Sequence, residues 1–217
     1  MVSLANLVEV MKNDTTTSPR SPWDRLFPET SRRTVLRDMD LYSPGDSSDS
    51  VFLVEKGGIV EIRADGLGIT HAVGLSGPGS LLGARLTTTA AVHAVRATAL
   101  ADSVVRVMDR AGFLQSTLSD PELAAAYMHQ LANRLETARH LSETCAAPTT
   151  GDHILGVLET VAATFGVSDD GSASIPVQES LLERMTGTPH RLLMAAVHEL
   201  RSHGLVRIEK DAVRWVL

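Results

Sequence analysis

The sequence predicts an α+β chain of two modules joined by one long helix, on three observations. From Asp38 to Met108, short apolar runs alternate with glycine-marked turns, the pattern of a small antiparallel barrel or jelly roll. From Pro121 to Cys145, apolar residues recur at helical spacing without a breaker. From Ser174 to Leu217 the order is helix, glycine turn, helix and hairpin, the outline of a winged helix-turn-helix.

Taken in order, residues 1–28 mix Thr, Ser, Pro and Asn and read as a loosely ordered leader, with Trp23, Leu26 and Phe27 at the start of the folded part. Pro28 to Arg37 reads as a short helix. Val51–Val54 and Ile59–Ile62 flank the Glu55–Gly58 turn, and Thr70–Leu75, Ala91–Thr98 and Ser103–Met108 are further strands. Asp120 or Ser119 caps the long helix, and Pro121 takes its first position. On that helix Met128, Leu131, Leu135, Ala138 and Ser142 recur at alternating three- and four-residue spacing as far as Cys145. This is a coiled-coil seam, and it predicts a homodimer, with Leu123, Tyr127 and Leu141 turned toward the barrel. Ala146–Gly151 reads as a linker, Asp152–Phe165 as a helix and Ile175–Val177 as a short strand. The expected domains are a leader at 1–28, a β-rich module at 29–118, a dimerisation helix and hinge at 119–147, and a winged helix-turn-helix at 148–217.

In the last module Gly187 marks the turn, Thr188 is expected to cap the second helix, and Pro189 to take its first position. Leu193, Ala196, Val197 and Leu200 form its buried face, and Gly204 closes it. Leu205–Ile208 and Ala212–Val216 then alternate as two strands around Glu209-Lys210-Asp211.

Composition narrows the function classes. At 43% hydrophobic and 21% charged the 217-residue chain is ordinary for a soluble protein. No run approaches the ~20 apolar residues of a membrane span, and no secretory signal pattern opens the chain, so a cytoplasmic location without a membrane partner is expected. A single cysteine, Cys145, permits no internal disulfide and fits a reducing compartment. The net charge is −6, yet from Ile175 onward six Arg/Lys stand against five Asp/Glu, so the acid is concentrated elsewhere. No paired carboxylates in a glycine-rich pocket, no nucleophile motif and no metal-ligand spacing occur, so no enzyme, metal or cofactor is expected.

Over roughly residues 30–217 the order of segments resembles the Crp/Fnr family of bacterial transcription regulators. Tyr42-Ser43-Pro44-Gly45-Asp46 and Val51–Gly57 resemble the family's opening pattern, and Gly77–Gly83 resembles the entry to its cyclic-nucleotide site. The resemblance implies a cyclic-nucleotide-binding-type β-barrel (jelly roll), a dimerisation helix and a winged helix-turn-helix. It also implies a ligand pocket around Gly83, Ala84, Arg85, Val92 and His93. Here the chain departs from the pattern. Ala84 stands at the family's glutamate, and Ala91-Val92-His93 stands where the family has Arg-Ser/Thr-Ala. A half-buried phosphodiester needs a cation, so cyclic AMP and cyclic GMP are not expected ligands. Arg85 or Arg96 could in principle substitute, though Arg96 matches a structural strand position rather than the pocket. The pocket either takes another ligand or is a relic that binds nothing. His71 and His93 read as packed or surface residues rather than haem ligands.

The family's recognition helix reads Arg-Glu-x-x-x-Arg, which falls on His190, Arg191 and Ala195. His190 and Arg191 can donate to guanine, and Ala195 can touch a thymine methyl. Thr188, Arg184, Arg201 and the wing's Lys210 are left to hold phosphates. Glu183 stands where a small residue normally lets the two helices cross closely, so it must tilt outward. Two readings stay open: a homodimeric regulator on a pseudo-palindromic operator, with RNA polymerase as a further partner, or a protein-interaction module built on the same fold.

Overall fold

Up to Asp109 the chain is built from short antiparallel strands, because its β-branched and aromatic runs are brief and cut by turns. The computed structural model describes residues 21–84, 92–168, 170–210 and 212–216. Its strands here are β1 (Arg32–Val35), β2 (Asp40–Tyr42), β3 (Ser50–Lys56), β4 (Ile59–Ala64), β5 (Thr70–Ser76), β6 (Leu81–Leu82), β7 (Arg96–Ala99) and β8 (Ser103–Asp109). They make two four-stranded sheets, β1-β8-β3-β6 and β2-β7-β4-β5, in a jelly-roll arrangement. Val35, Phe52, Val54 and Val105 of the first sheet pack with Tyr42, Ile59, Ala97 and Ala99 of the second. Val51 and Leu53 face the other way, into a cluster with Trp23, Phe27, Phe113 and Leu123. Burial on both faces explains why Val51–Val54 is continuously apolar instead of alternating.

Two expectations change at the start. Trp23 and Phe27 are buried, and the Arg106 guanidinium donates to the Phe27 carbonyl at 2.9 Å and pairs with Asp24, so the fold begins before residue 28. The rest of the expected leader, 1–20, lies outside the described residues. The helix expected over Pro28–Arg37 does not form. After a 3-10 turn at Glu29–Ser31, β1 pairs with β8 from Arg32–Arg106 to Val35–Ser103, and the ladder outweighs a marginal helix. Of the strand expected over Ala91–Thr98, residues 96–99 pair as β7, and Val92 makes a single bridge to Ser47.

Helix α1 (Arg110–Ser119) was not foreseen, although its cap is legible: Asp109 accepts from the Gly112 N–H at 2.7 Å. Helix α2 (Pro121–Cys145) spans the expected residues, and Asp120 Oδ1 accepts from the Glu122 N–H at 2.9 Å. Leu123, Tyr127, Gln130 and Arg134 lie along one stripe, since at about 100° per residue they fall within roughly 60°. Leu123 and Tyr127 join the apolar cluster under the first sheet.

The chain divides into two compact units, with the boundary between His140 and Leu141. The second contains α3 (Thr150–Phe165), β9 (Val177–Gln178), α4 (Glu179–Thr186), α5 (His190–Ser202), β10 (Val206–Glu209) and β11 (Ala212–Trp215). α3 begins two residues before the expected Asp152 because Thr149 Oγ1 accepts from the Asp152 N–H at 3.1 Å. β9 starts at Val177 rather than Ile175, since Pro176 has no N–H for the ladder. It pairs with β11, so the wing is a three-stranded sheet in the order β10-β11-β9 instead of a bare hairpin.

On α3, burial pushes the Glu159 carboxyl above its ordinary range. A carboxyl raised in the fold costs stability as pH rises through its unfolded and then its folded value. Glu159→Gln is therefore expected to raise the melting temperature by a few degrees at pH 7. At a pH well below 4.5 the gain should vanish; calorimetry at both values checks this.

Candidate nucleic-acid interface and effector pocket

The interface is set by one turn. Gly187 adopts φ 63° and ψ 16°, a left-handed conformation that ends α4 at small steric cost and redirects the chain into α5. Pro189, not Thr188, is the N-cap of α5, so the helix begins one residue later than expected, and no side chain caps it. Its carbonyl instead accepts from the N–H groups of Leu192 and Leu193 at 2.9 and 3.0 Å. Thr188 is only 8% exposed.

Leu193, Ala196, Val197 and Leu200 are buried, which turns the opposite side of α5 to solvent. Arg191 and Ala195 lie there, with His198 and Ser202 continuing the same stripe. Arg191, Arg201 and Lys210 are exposed and Arg184 is half-buried. None of the four has an ion-pair partner among the described residues. The other wing arginines are engaged: Arg207 pairs with Asp170 at 3.1 Å, and Arg214 with Glu209 at 2.9 Å. Hydrogen bonds from the Ser172 hydroxyl and N–H, joined by the weaker contact to Arg207, hold the Asp170 carboxyl down to about 2. Glu183 tilts outward, as its size demands, and its Oε2 lies 3.7 Å from His190 Nδ1. His190 is thus shared between solvent and a carboxylate, and Arg191 is the unopposed donor at the start of the helix.

The pocket residues come together only in part. Gly83, at φ 73°, lies so close to β3 that a Cβ would sit 2.6 Å from the Ser50 carbonyl and 3.6 Å from His93 Cε1. His93 is 4% exposed and stacks on Tyr42, ring centroids 3.7 Å apart. Val92 faces outward at 47% exposure. The Ala84 carbonyl accepts from the Tyr127 hydroxyl. Arg85 lies outside the described residues, and Arg96 is bound to Asp40.

Sequence reasoning missed the charged groups here. Glu61 of β4 is 6% exposed, and its carboxylate accepts from the Tyr42 hydroxyl at 2.9 Å and from Arg134 at 2.6 Å. An acid inside the apolar run Ile59-Val60-Glu61-Ile62 was the available signal, since a buried carboxylate requires a partner.

On α2, Met128 (64% exposed), Leu131 (46%) and Leu135 (72%) form an apolar stripe next to the one that packs on the sheet. Ala138 is half-buried and Ser142 exposed along the same line. No helix among the described residues is long and apolar enough to cross a membrane.

Residues 32–120 match the family model of the cyclic nucleotide-binding domain. No curated protein sequence matches the chain. Among solved structures, FixK2 from Bradyrhizobium japonicum superposes with a TM-score of 0.69 at 16% identity, over 85% of this chain and 91% of that one. The c-di-GMP-responsive global regulator CLP of Xanthomonas campestris gives 0.70 at 19%, over 86% and 93%. A CRP-family transcriptional regulator of Thermus thermophilus gives 0.69 at 15%, over 85% and 92%. At these identities the likeness is one of fold, and it extends through both units. The chain therefore carries a cyclic nucleotide-binding domain at residues 32–120 and has, over most of its length, the fold of the CRP/FNR transcription regulators.

Proposed function

We propose that the protein is a homodimeric, sequence-specific DNA-binding transcription regulator of the Crp/Fnr type that does not respond to cyclic AMP. The observation that carries this is the outward stripe of α5, with Arg191 exposed and unpaired at its N-terminal end beyond the Gly187 turn. In this reading α5 enters the major groove, Arg191 reads guanine bidentately and Ala195 meets a thymine methyl. Arg184, Arg201 and Lys210 hold phosphates. Thr188, with 8% of its surface exposed, is the smallest member of that set. The stripe Met128, Leu131, Leu135, Ala138 and Ser142 joins two copies, and RNA polymerase is a further partner. The role is regulatory rather than catalytic.

The pocket supports the loss of cyclic-nucleotide response. Ala84, Val92 and His93 offer no fixed cation, and Arg96 is already bound to Asp40. An unpaired phosphodiester there would face a desolvation penalty of several kcal/mol. The alternative, a protein-interaction module, is favoured by one feature, the Glu183 carboxylate beside His190, which would repel phosphate.

Selection of bound sequences from random duplex DNA, at two salt concentrations, decides between them. The expected product is an inverted repeat with half-sites about one helical turn apart, weakening as salt rises. Recovery of no enriched sequence, with purified protein and again in cell extract, would favour the interaction module.

A further inference from the structure

Beyond the apolar packing of Leu123 and Tyr127, the same face of α2 is bound to the jelly roll by a run of polar contacts, most of them to residues 79–84 around β6. Tyr127 donates to the Ala84 carbonyl. Gln130 accepts from the Leu81 N–H at 2.9 Å and donates to the Gly79 carbonyl. Arg134 donates through Nη1 to the Leu81 carbonyl at 2.9 Å and through Nη2 to Glu61 at 2.6 Å. Glu61 passes the connection on through Tyr42 to the ring of His93. Its cross-strand neighbour is Gly74, where a Cβ would stand 2.9 Å from Glu61 Oε2, so the β5 backbone leaves room for the carboxylate.

We propose that Glu61 and Arg134 form a built-in clamp that takes the place of a diffusible effector, fixing α2 on the jelly roll in the ligand-free protein. A buried carboxylate is tolerated only when paired, so the pair resists separation: removing Arg134 strands the Glu61 carboxylate, whose side chain is 8% exposed, and removing Glu61 takes away the acceptor that holds the half-exposed guanidinium on the sheet. Arg134 suits the task because its planar fork meets two acceptors at once. The clamp also sets which way α2 faces. Leu123, Tyr127, Gln130 and Arg134 bind the sheet, so Met128, Leu131 and Leu135, about 100° further round, are held outward. A helix free to roll would present a mixture of faces. As a statement about regulation this rests on the DNA-binding reading, because it makes DNA affinity independent of an added nucleotide.

Hydrogen exchange of the full-length protein tests it. Amides of residues 124–138 are expected to exchange slowly in the free protein, unchanged by cyclic AMP or cyclic GMP. Glu61→Gln and Arg134→Met should each speed them about tenfold, and Arg134→Lys less, since it keeps the charge but not the fork. The double variant Glu61→Met/Arg134→Met should return to within about threefold of wild type, because paired apolar replacement leaves no orphaned charge. Fast exchange in the wild type, slowing by either nucleotide, or single variants that exchange like wild type would each overturn the clamp. The wild-type arm with and without nucleotide decides the matter even if a variant fails to fold. DNA takes no part in this measurement, so a protein that shows the full pattern but selects no DNA sequence overturns the DNA reading and supports the clamp.

Discussion

Replacing Arg191 with alanine is expected to cost about 1–3 kcal/mol of specific DNA binding, roughly 5- to 150-fold in affinity, and to relax the preference at one base pair of each half-site. The effect should be large because this helix has so few donors. His190 lies 3.7 Å from the Glu183 carboxylate, Ala195 can make only apolar contact, and Leu193, Ala196 and Val197 face the core. A guanine opposite Arg191 would lose both hydrogen bonds at once. Arg201→Ala is the control. As a phosphate contact it should weaken binding evenly over all sequences and lower the salt slope by about one unit, leaving base preference intact. Titration of fluorescent duplexes carrying each base at that position separates the two patterns. Unchanged affinity and preference in Arg191→Ala would remove α5 from the groove.

The winged unit was the more legible part of the chain because its signals are local. Gly187, the apolar period from Leu193 to Leu200 and the alternation of the two wing strands each act within a few residues. The same holds for α2, whose start at Pro121 and end at Cys145 were set by a cap and a breaker-rich linker. What stayed hidden depended on partners far away in sequence. Residues 32–35 carry three charged or polar side chains and only one buried residue, Val35, and they become a strand because β8 lies alongside. The turn from Gly187 into α5 is plain in the sequence, but the N-cap is not, since a proline's φ suits both an extended residue and the first turn of a helix.

The pocket shows the same limit. The departure from the family pattern was visible at Ala84 and at Ala91-Val92-His93, so the expectation of no cyclic-nucleotide response could be drawn from the sequence. What ties α2 to the sheet beside it could not. Glu61 and Arg134 are 73 positions apart, one in a strand and one on a helix, and Arg134 reads from sequence as a charge flanking the seam. Only the fold brings it against a buried carboxylate. Arg139 does behave as a flanking charge, paired with Glu136 on the helix surface at 2.6 Å.

Leu135→Glu is expected to convert the protein to a monomer at micromolar concentration. Leu135 is the most exposed of the three large apolar residues on the α2 stripe, at 72%, and it lies between Leu131 and Ala138 near the middle of the seam. In a two-fold arrangement each change occurs twice, so one substitution puts two carboxylates into the same apolar contact. Burying unpaired charge there should cost on the order of 4 kcal/mol, about a thousandfold in the dimer dissociation constant. The helix itself should persist, because glutamate is a good helix former and position 135 lies off the stripe that holds Tyr127, Gln130 and Arg134 to the sheet. Sedimentation velocity and circular dichroism on the same sample make the distinction: helix content retained with a halved mass supports the interface, and a dimer that survives the substitution places it elsewhere. Loss of the dimer should also weaken binding to a two-half-site operator far more than to a single half-site, because tethering supplies the second contact at high effective concentration. If Leu135→Glu lowered affinity equally for both, the regulator would be reading DNA one copy at a time.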